Sequence, residues 1–152
     1  MNEDKPAGET FDARALLRSL TLFSHLDDAE LDALAAELEW FAMPGGATLF
    51  DIGDPSDALY VLQSGSLGAF KPDAAGHFHL DGVVAAGETV GELGLMIDQP
   101  RSATVRTLRD SELLRLSRNG FKTLVAKKPE AMLETARVSV RRLLERRTTK
   151  QL

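Results

Sequence analysis

The stretch that decides the fold runs from residue 40 to residue 71 and reads WFAMPGGATLFDIGDPSDALYVLQSGSLGAFK. Short runs of apolar and aromatic residues each end on turn chemistry: Pro44-Gly45-Gly46, Gly53-Asp54-Pro55 and Ser64-Gly65. The same punctuation continues through Asp73 to Gly76, Gly82 and Gly87-Glu88. Strands are expected at 40–43, 48–52, 58–63, 66–71, 77–80, 83–86, 103–108 and 112–116. Nothing between them is long enough for the helix of a parallel crossover. A mainly β fold follows, an eight-stranded antiparallel roll of the jelly-roll kind.

Helical signals flank this core. Leu16, Leu17 and Leu20 are the apolar positions of a first helical stretch. Asp27 and Glu30 form a capping box for the next helix, Leu26 and Leu31 its hydrophobic staple, and Leu31, Leu34, Ala35 and Leu38 recur at helical spacing. Ser117 can cap a helix running through Phe121 and Leu124, and Pro129 can open the last one. Leu133, Ala136, Val140 and Leu143 make a seam there that either packs on the roll or pairs with a second copy. Trp40, Phe41, Phe50, Tyr60 and Phe70 read as core residues.

The totals narrow the function. The 152 residues suit one domain, with residues 1–10 expected to be disordered, 11–147 the ligand-binding domain, and 148–152 a basic tail or a linker to an effector domain outside this chain. There is no cysteine, hence no disulfide framework and no thiolate metal site. The net charge of −5 gives no reason to expect nucleic-acid binding. No apolar run approaches the ~18 residues of a membrane span, and the polar N-terminus lacks a signal-peptide core, so a cytoplasmic location is the expectation. Residues 137–152 carry six basic side chains against one acid, Glu145, read as a solvated helix face or as a partner- or lipid-facing segment.

The chemistry concentrates in residues 90–106, VGELGLMIDQPRSATVR. Glu92 to Met96 reads as one helical turn set among strands, and the free N–H groups at its start suit an anion. Gly91 and Gly94 let a ligand approach the backbone, and Arg101, on a strand beginning after Pro100, can grip two phosphate oxygens with Ser102 as an added donor. Glu92, acceptor-only when ionised, repels phosphate and suits a sugar hydroxyl. A phosphate grip and a sugar acceptor nine residues apart imply a nucleotide.

These residues resemble the phosphate-binding cassette of the cyclic-nucleotide-binding domain, the module of the catabolite activator protein, kinase regulatory subunits and cyclic-nucleotide-gated channels. Its pattern, Gly-Glu-x-Gly/Ala-Leu, a loop, then Pro-Arg-Ser/Thr/Ala-Ala, is matched by Gly91, Glu92, Gly94, Leu95, Pro100, Arg101, Ser102 and Ala103, and Gly53, Gly65 and Gly87 frame it. The resemblance implies Glu92 on the ribose 2′-hydroxyl, Arg101 and Ser102 on the cyclic phosphate, and backbone amides of Leu93, Gly94, Leu95 and Ala103 completing the cradle. It implies cyclic AMP as ligand with cyclic GMP as the alternative, and a last helix that moves over the base. The catabolite activator protein takes its adenine contact from a Thr-Ser pair on that helix, and Arg146-Arg147-Thr148-Thr149 departs from it.

The stretches LEWFAMPGGATLFDIGDPSDALYVLQSGSL and PRSATVRTLRDSELLRLS resemble regulatory domains of bacterial patatin-like, neuropathy-target-esterase-type phospholipases. No Gly-x-Ser-x-Gly elbow occurs in the chain, which reads as a regulatory domain rather than an enzyme, acting on an attached or separate effector. A homodimer through the last helix and peripheral membrane association of the parent protein are further expectations. Two rival classes remain. One is a ligand-free dimerisation module. The other is a cupin-type metal enzyme, for which His77 and His79 lack the following Glu ligand; they read as solvent-facing neighbours of a buried Phe78.

Overall fold

A computed structural model describes Leu17, Phe23, Ser24 and residues 26–151. Residues 1–10, with Leu16 and Leu20, lie outside the described residues. Two four-stranded antiparallel sheets face each other. One has the order β1-β8-β3-β6 and the other β2-β7-β4-β5. The strands are β1 (Leu38–Met43), β2 (Thr48–Phe50), β3 (Ala58–Ser64), β4 (Ser66–Pro72), β5 (Phe78–Ala85), β6 (Thr89–Val90), β7 (Thr104–Thr107) and β8 (Ser111–Ser117). The helices are α1 (Asp28–Glu37), α2 (Glu92–Ile97), α3 (Arg118–Lys127) and α4 (Pro129–Gln151).

The eight-stranded roll is as the sequence reads, with the strands divided differently. Residues 77–80 and 83–86 are one strand, because Gly82 pairs with Ala69 inside the ladder rather than making a turn. The eighth strand is β6, two residues long and too short to show a period. Leu38 belongs to β1, leaving α1 with Leu31 and Leu34 as its buried residues. Phe78 is 53% exposed, so the pairing of exposed histidines around a buried Phe78 does not hold.

β3 is buried along ALYVL because both of its faces are covered. Leu59 and Val61 face the helices, with Leu31, Phe121 and Leu124. Ala58, Tyr60 and Leu62 face the second sheet, with Leu67, Ala69, Val84 and Val105. β8 divides the same way, Leu114 and Leu116 toward the helices and Leu113 into the roll. The helix ends follow local chemistry. Asp27 and Glu30 make both bonds of a capping box, and Ser117 accepts from Gly120 N at 3.1 Å.

α4 is a different matter. Of its apolar seam, Leu133 and Val140 are each more than half exposed and Ala136 is partly buried, and Leu144 beside the seam is exposed as well. The side chain of Leu143 lies outside the described residues. No described helix is long and apolar enough to cross a membrane.

Gly65 closes the β3–β4 hairpin at φ 106°, and a Cβ there would overlap Ser111 Oγ and stand 2.7 Å from Asp110 O. Gly65→Ala should therefore destabilise by roughly 1–3 kcal/mol. That corresponds to a fall in Tm of about 3–10 °C for a chain of this size. A thermal midpoint indistinguishable from wild type would mean that the hairpin relaxes around the methyl group.

Candidate functional site

The cassette sits where the two sheets meet α4. Gly91 takes a left-handed conformation, φ 88°, and starts α2. A Cβ on Gly91 would run into Arg101 Nη1, so the glycine serves a close approach as well as a turn. Across the cassette, Gly53 N donates to Arg101 O and Arg101 N donates to Asp54 O, both at 2.8 Å. The Gly53-Asp54-Pro55 turn thus fixes the backbone of Arg101. Ser56 Oγ donates to Gln99 O at 2.6 Å and ties the loop after α2 to the same turn.

Arg101 is 4% exposed. Its Nη2 donates to Ala58 O at 2.8 Å and to Asp57 Oδ1 at 3.3 Å, and its Nη1 donates to Gly91 O at 3.1 Å. The guanidinium lies 4.1 Å from the centroid of the Phe50 ring. Burial pulls its pKa below the ordinary arginine value, opposed by Tyr60, Asp57 and Asp54. Its Nε is buried and has no hydrogen-bond partner among the described residues. The arginine is therefore embedded in the protein as well as present in the cavity wall. Read in the sequence as a grip on phosphate oxygens, its guanidinium is also bonded to two carbonyls and a carboxylate of the protein itself.

Glu92 is 5% exposed at the start of α2. Its Oε1 accepts from Ser139 Oγ at 3.2 Å and from Arg142 Nη1 at 3.0 Å, both on α4. Arg142 also donates to Thr89 O at 2.6 Å and lies 3.6 Å from Glu88 Oε2. One residue of the basic run, read as a solvated face, is thus part of the site. No signal in the run singles it out.

One cavity of about 160 Å³ gathers Gly91, Glu92, Leu93, Gly94, Arg101, Ser102 and Ala103. Leu95 is the exception: its side chain packs in the helix-side core. Arg101, Ser102 and Ala103 precede β7, which begins at Thr104, so Arg101 is on the loop and not on the strand. Phe50, Ala69, Lys71, Val84, Val90, Ser139 and Arg142 complete most of the wall. Phe50, read as core, packs against the roll core and also stacks on the arginine in the cavity wall, and Asp57 is that arginine's carboxylate partner.

Residues 41–128 match the family model of the cyclic nucleotide-binding domain. An uncharacterised NTE family protein of Mycobacterium bovis is 31% identical over 96% of this chain, which spans 24% of that protein. The cAMP-dependent protein kinase regulatory subunit of Aspergillus fumigatus is 38% identical over 73% of this chain, spanning 26% of that subunit. The chain thus spans about a quarter of the length of these curated relatives. The regulatory domain of Toxoplasma gondii PKA, solved with cAMP, superposes with a TM-score of 0.72 at 30% identity, covering 80% of this chain and 46% of that one. With its antiparallel roll, its cassette and a family match over more than half its length, this chain belongs to the cyclic nucleotide-binding domain family.

Proposed function

We propose that this chain is a non-enzymatic sensor of a 3′,5′-cyclic purine mononucleotide. The phosphate sits at the Arg101 end of the cavity and the ribose 2′-hydroxyl is accepted by Glu92. The observation that carries this reading is the convergence of seven cassette residues on one cavity, with a buried cation and a buried carboxylate in its wall. Arg101 Nε and the Ser102 hydroxyl supply donors to the phosphate beyond those Arg101 already spends on the protein. Cyclic AMP carries every group the cassette needs and is the ligand expected from the resemblance. Cyclic GMP shares its phosphate and ribose.

The output is α4. The cavity is small beside the roughly 300–1,000 Å³ of ordinary ligand clefts, and Ser139 and Arg142 of α4 stand in its wall. A ribose reaching Glu92 meets a carboxylate that α4 already shares, so ligand occupancy and α4 position are linked through one side chain. The receiver is an effector, attached or separate, and an NTE-type phospholipase is the expected one, in a cytoplasmic setting with peripheral membrane contact. A ligand-free interaction module would also hold Glu92 and Arg101 in protein contacts, and binding separates the two readings. Calorimetric titration should give saturable heat with cyclic AMP or cyclic GMP and far weaker binding of 5′-AMP. No heat with any cyclic nucleotide would refute the sensor.

Removing one partner of a buried, hydrogen-bonded charge pair typically costs ~2–5 kcal/mol. Arg101→Ala should therefore weaken cyclic-nucleotide binding by roughly 30- to 5,000-fold, with Arg101→Lys between alanine and wild type. Arg101→Ala should also lower Tm, because Ala58 O and Gly91 O lose their donor. Arg106, whose contact is with Phe70, is the control and should bind normally as alanine. Affinity unchanged in Arg101→Ala would remove the phosphate assignment.

Amide exchange over residues 137–149 should slow when ligand is added to the wild type. Arg142→Met should speed exchange there without ligand, since α4 loses its bonds to Glu92 and Thr89. Exchange in α4 indifferent to both ligand and Arg142 would place the output in another element.

A further inference from the structure

The cassette accounts for a phosphate and a ribose, but part of the cavity wall remains. That part comprises Ala69 and Lys71 on β4, Val84 on β5 and Val90 on β6. Ala69 and Val84 are buried and apolar, a surface suited to the flat face of a ring. Lys71 adds a cation at the edge of that surface, one residue beyond the Phe70–Thr104 pair of β4 and β7.

The neighbouring strand holds this lysine deliberately. Ala69 pairs with Gly82 and Phe70 with Leu80, so Asp81 is the extra residue of a β-bulge. Bulges re-aim side chains. Here the bulge brings Asp81 Oδ2 to 3.7 Å from Lys71 Nζ, with His79 Nε2 4.0 Å from Oδ1. The Asp81 side chain is 1% exposed, while that of Lys71 is 33% exposed. The carboxylate is thus enclosed, and Lys71 is the member of the pair that lines the cavity.

A lysine beside a buried carboxylate is close to neutral as seen from a distance, which weakens its pull on a phosphate. Its three N–H donors survive, and at 3.7 Å the aspartate engages it as an ion pair longer than a hydrogen bond. Such a group suits a neutral acceptor. We infer that Lys71, positioned by Asp81, contacts the edge of the base and favours a 6-oxopurine over a 6-aminopurine. This rests on the cyclic-nucleotide reading above. Guanine offers O6 and N7 as adjacent acceptors, whereas adenine sets an N6 amino donor beside N7. A donor-only ammonium matches the first edge and meets a like donor at the second. Lys71 contacts the base, and Asp81, which is not part of the cavity lining, acts through it.

The test titrates the whole chain with cyclic GMP, cyclic IMP and cyclic AMP. Cyclic IMP keeps O6 and N7 but lacks the 2-amino group of guanine, so it isolates the edge in question. Lys71→Met should weaken cyclic GMP and cyclic IMP by roughly tenfold and leave cyclic AMP within about twofold. Lys71→Arg should retain the preference for the oxo bases. Asp81→Asn should shift the same ratio in the same direction, by less, with Tm measured alongside. Equal weakening of all three ligands would assign Lys71 to the shared phosphate and overturn the inference, as would no change in any. Wild-type binding with an unchanged ratio in the variants defeats this inference alone. A wild type that binds none of the three defeats the sensor reading and this one together.

Discussion

The burial of one guanidinium constrains much of this structure. A charged group at 4% exposure must find hydrogen-bond acceptors inside the protein. Those of Arg101 come from places far apart in sequence: Asp57 and Ala58 at the entry to β3, and Gly91 before α2. Its stacking partner, Phe50, comes from β2. The roll has to close for these groups to meet. Glycine at 91 is part of the same requirement, since any Cβ there would displace the guanidinium.

The second buried charge is held in another way. Arg101 bonds chiefly to backbone carbonyls, which belong to the frame of the roll. Glu92 bonds only to side chains of α4 among its described contacts, Ser139 and Arg142. α4 meanwhile leaves Leu133, Val140 and Leu144 largely exposed. Apolar side chains left in water do little to hold an element in place. Under the proposed reading, the phosphate end of the site is therefore held by the frame of the roll and the sugar end by α4. That asymmetry suits the sensor proposed above, which requires a point that captures and an element that reports.

Local chemistry was legible where neighbours in sequence are neighbours in space. The Asp27–Glu30 capping box, the Ser117 cap and the Pro129 start all involve groups a few residues apart, and each is where the pattern places it. The roll was legible from its turns. Its divisions were less so: Gly82 reads as a turn residue but sits in a ladder beside a bulge, and β6 has only two residues. Phe78 misled because strand alternation does not say which face is covered. The site divides along the same line. Gly91 to Ala103 is a contiguous motif and visible. Asp57, Ser139 and Arg142 meet it across 44, 47 and 50 residues, and nothing in a turn or a basic run marks them for that contact.

The cations around the cavity share one further property, since each has a carboxylate partner. Arg101 has Asp57, Arg142 has Glu92, and Lys71 has Asp81. The carboxylates differ in their surroundings. The side chains of Glu92 and Asp81 are 6% and 1% exposed, but that of Asp57 is 65% exposed. A carboxylate in water is screened and cancels little of a neighbouring positive potential, whereas a buried one cancels much of it. Arg101 thus keeps the most uncompensated charge of the three although it is the most deeply buried. An anion entering the cavity is drawn to Arg101, while Lys71 and Arg142, nearly neutralised, act over hydrogen-bond distances only. The proposed division of labour between holding a phosphate and reading the rest of the ligand rests on which carboxylates the fold leaves in water.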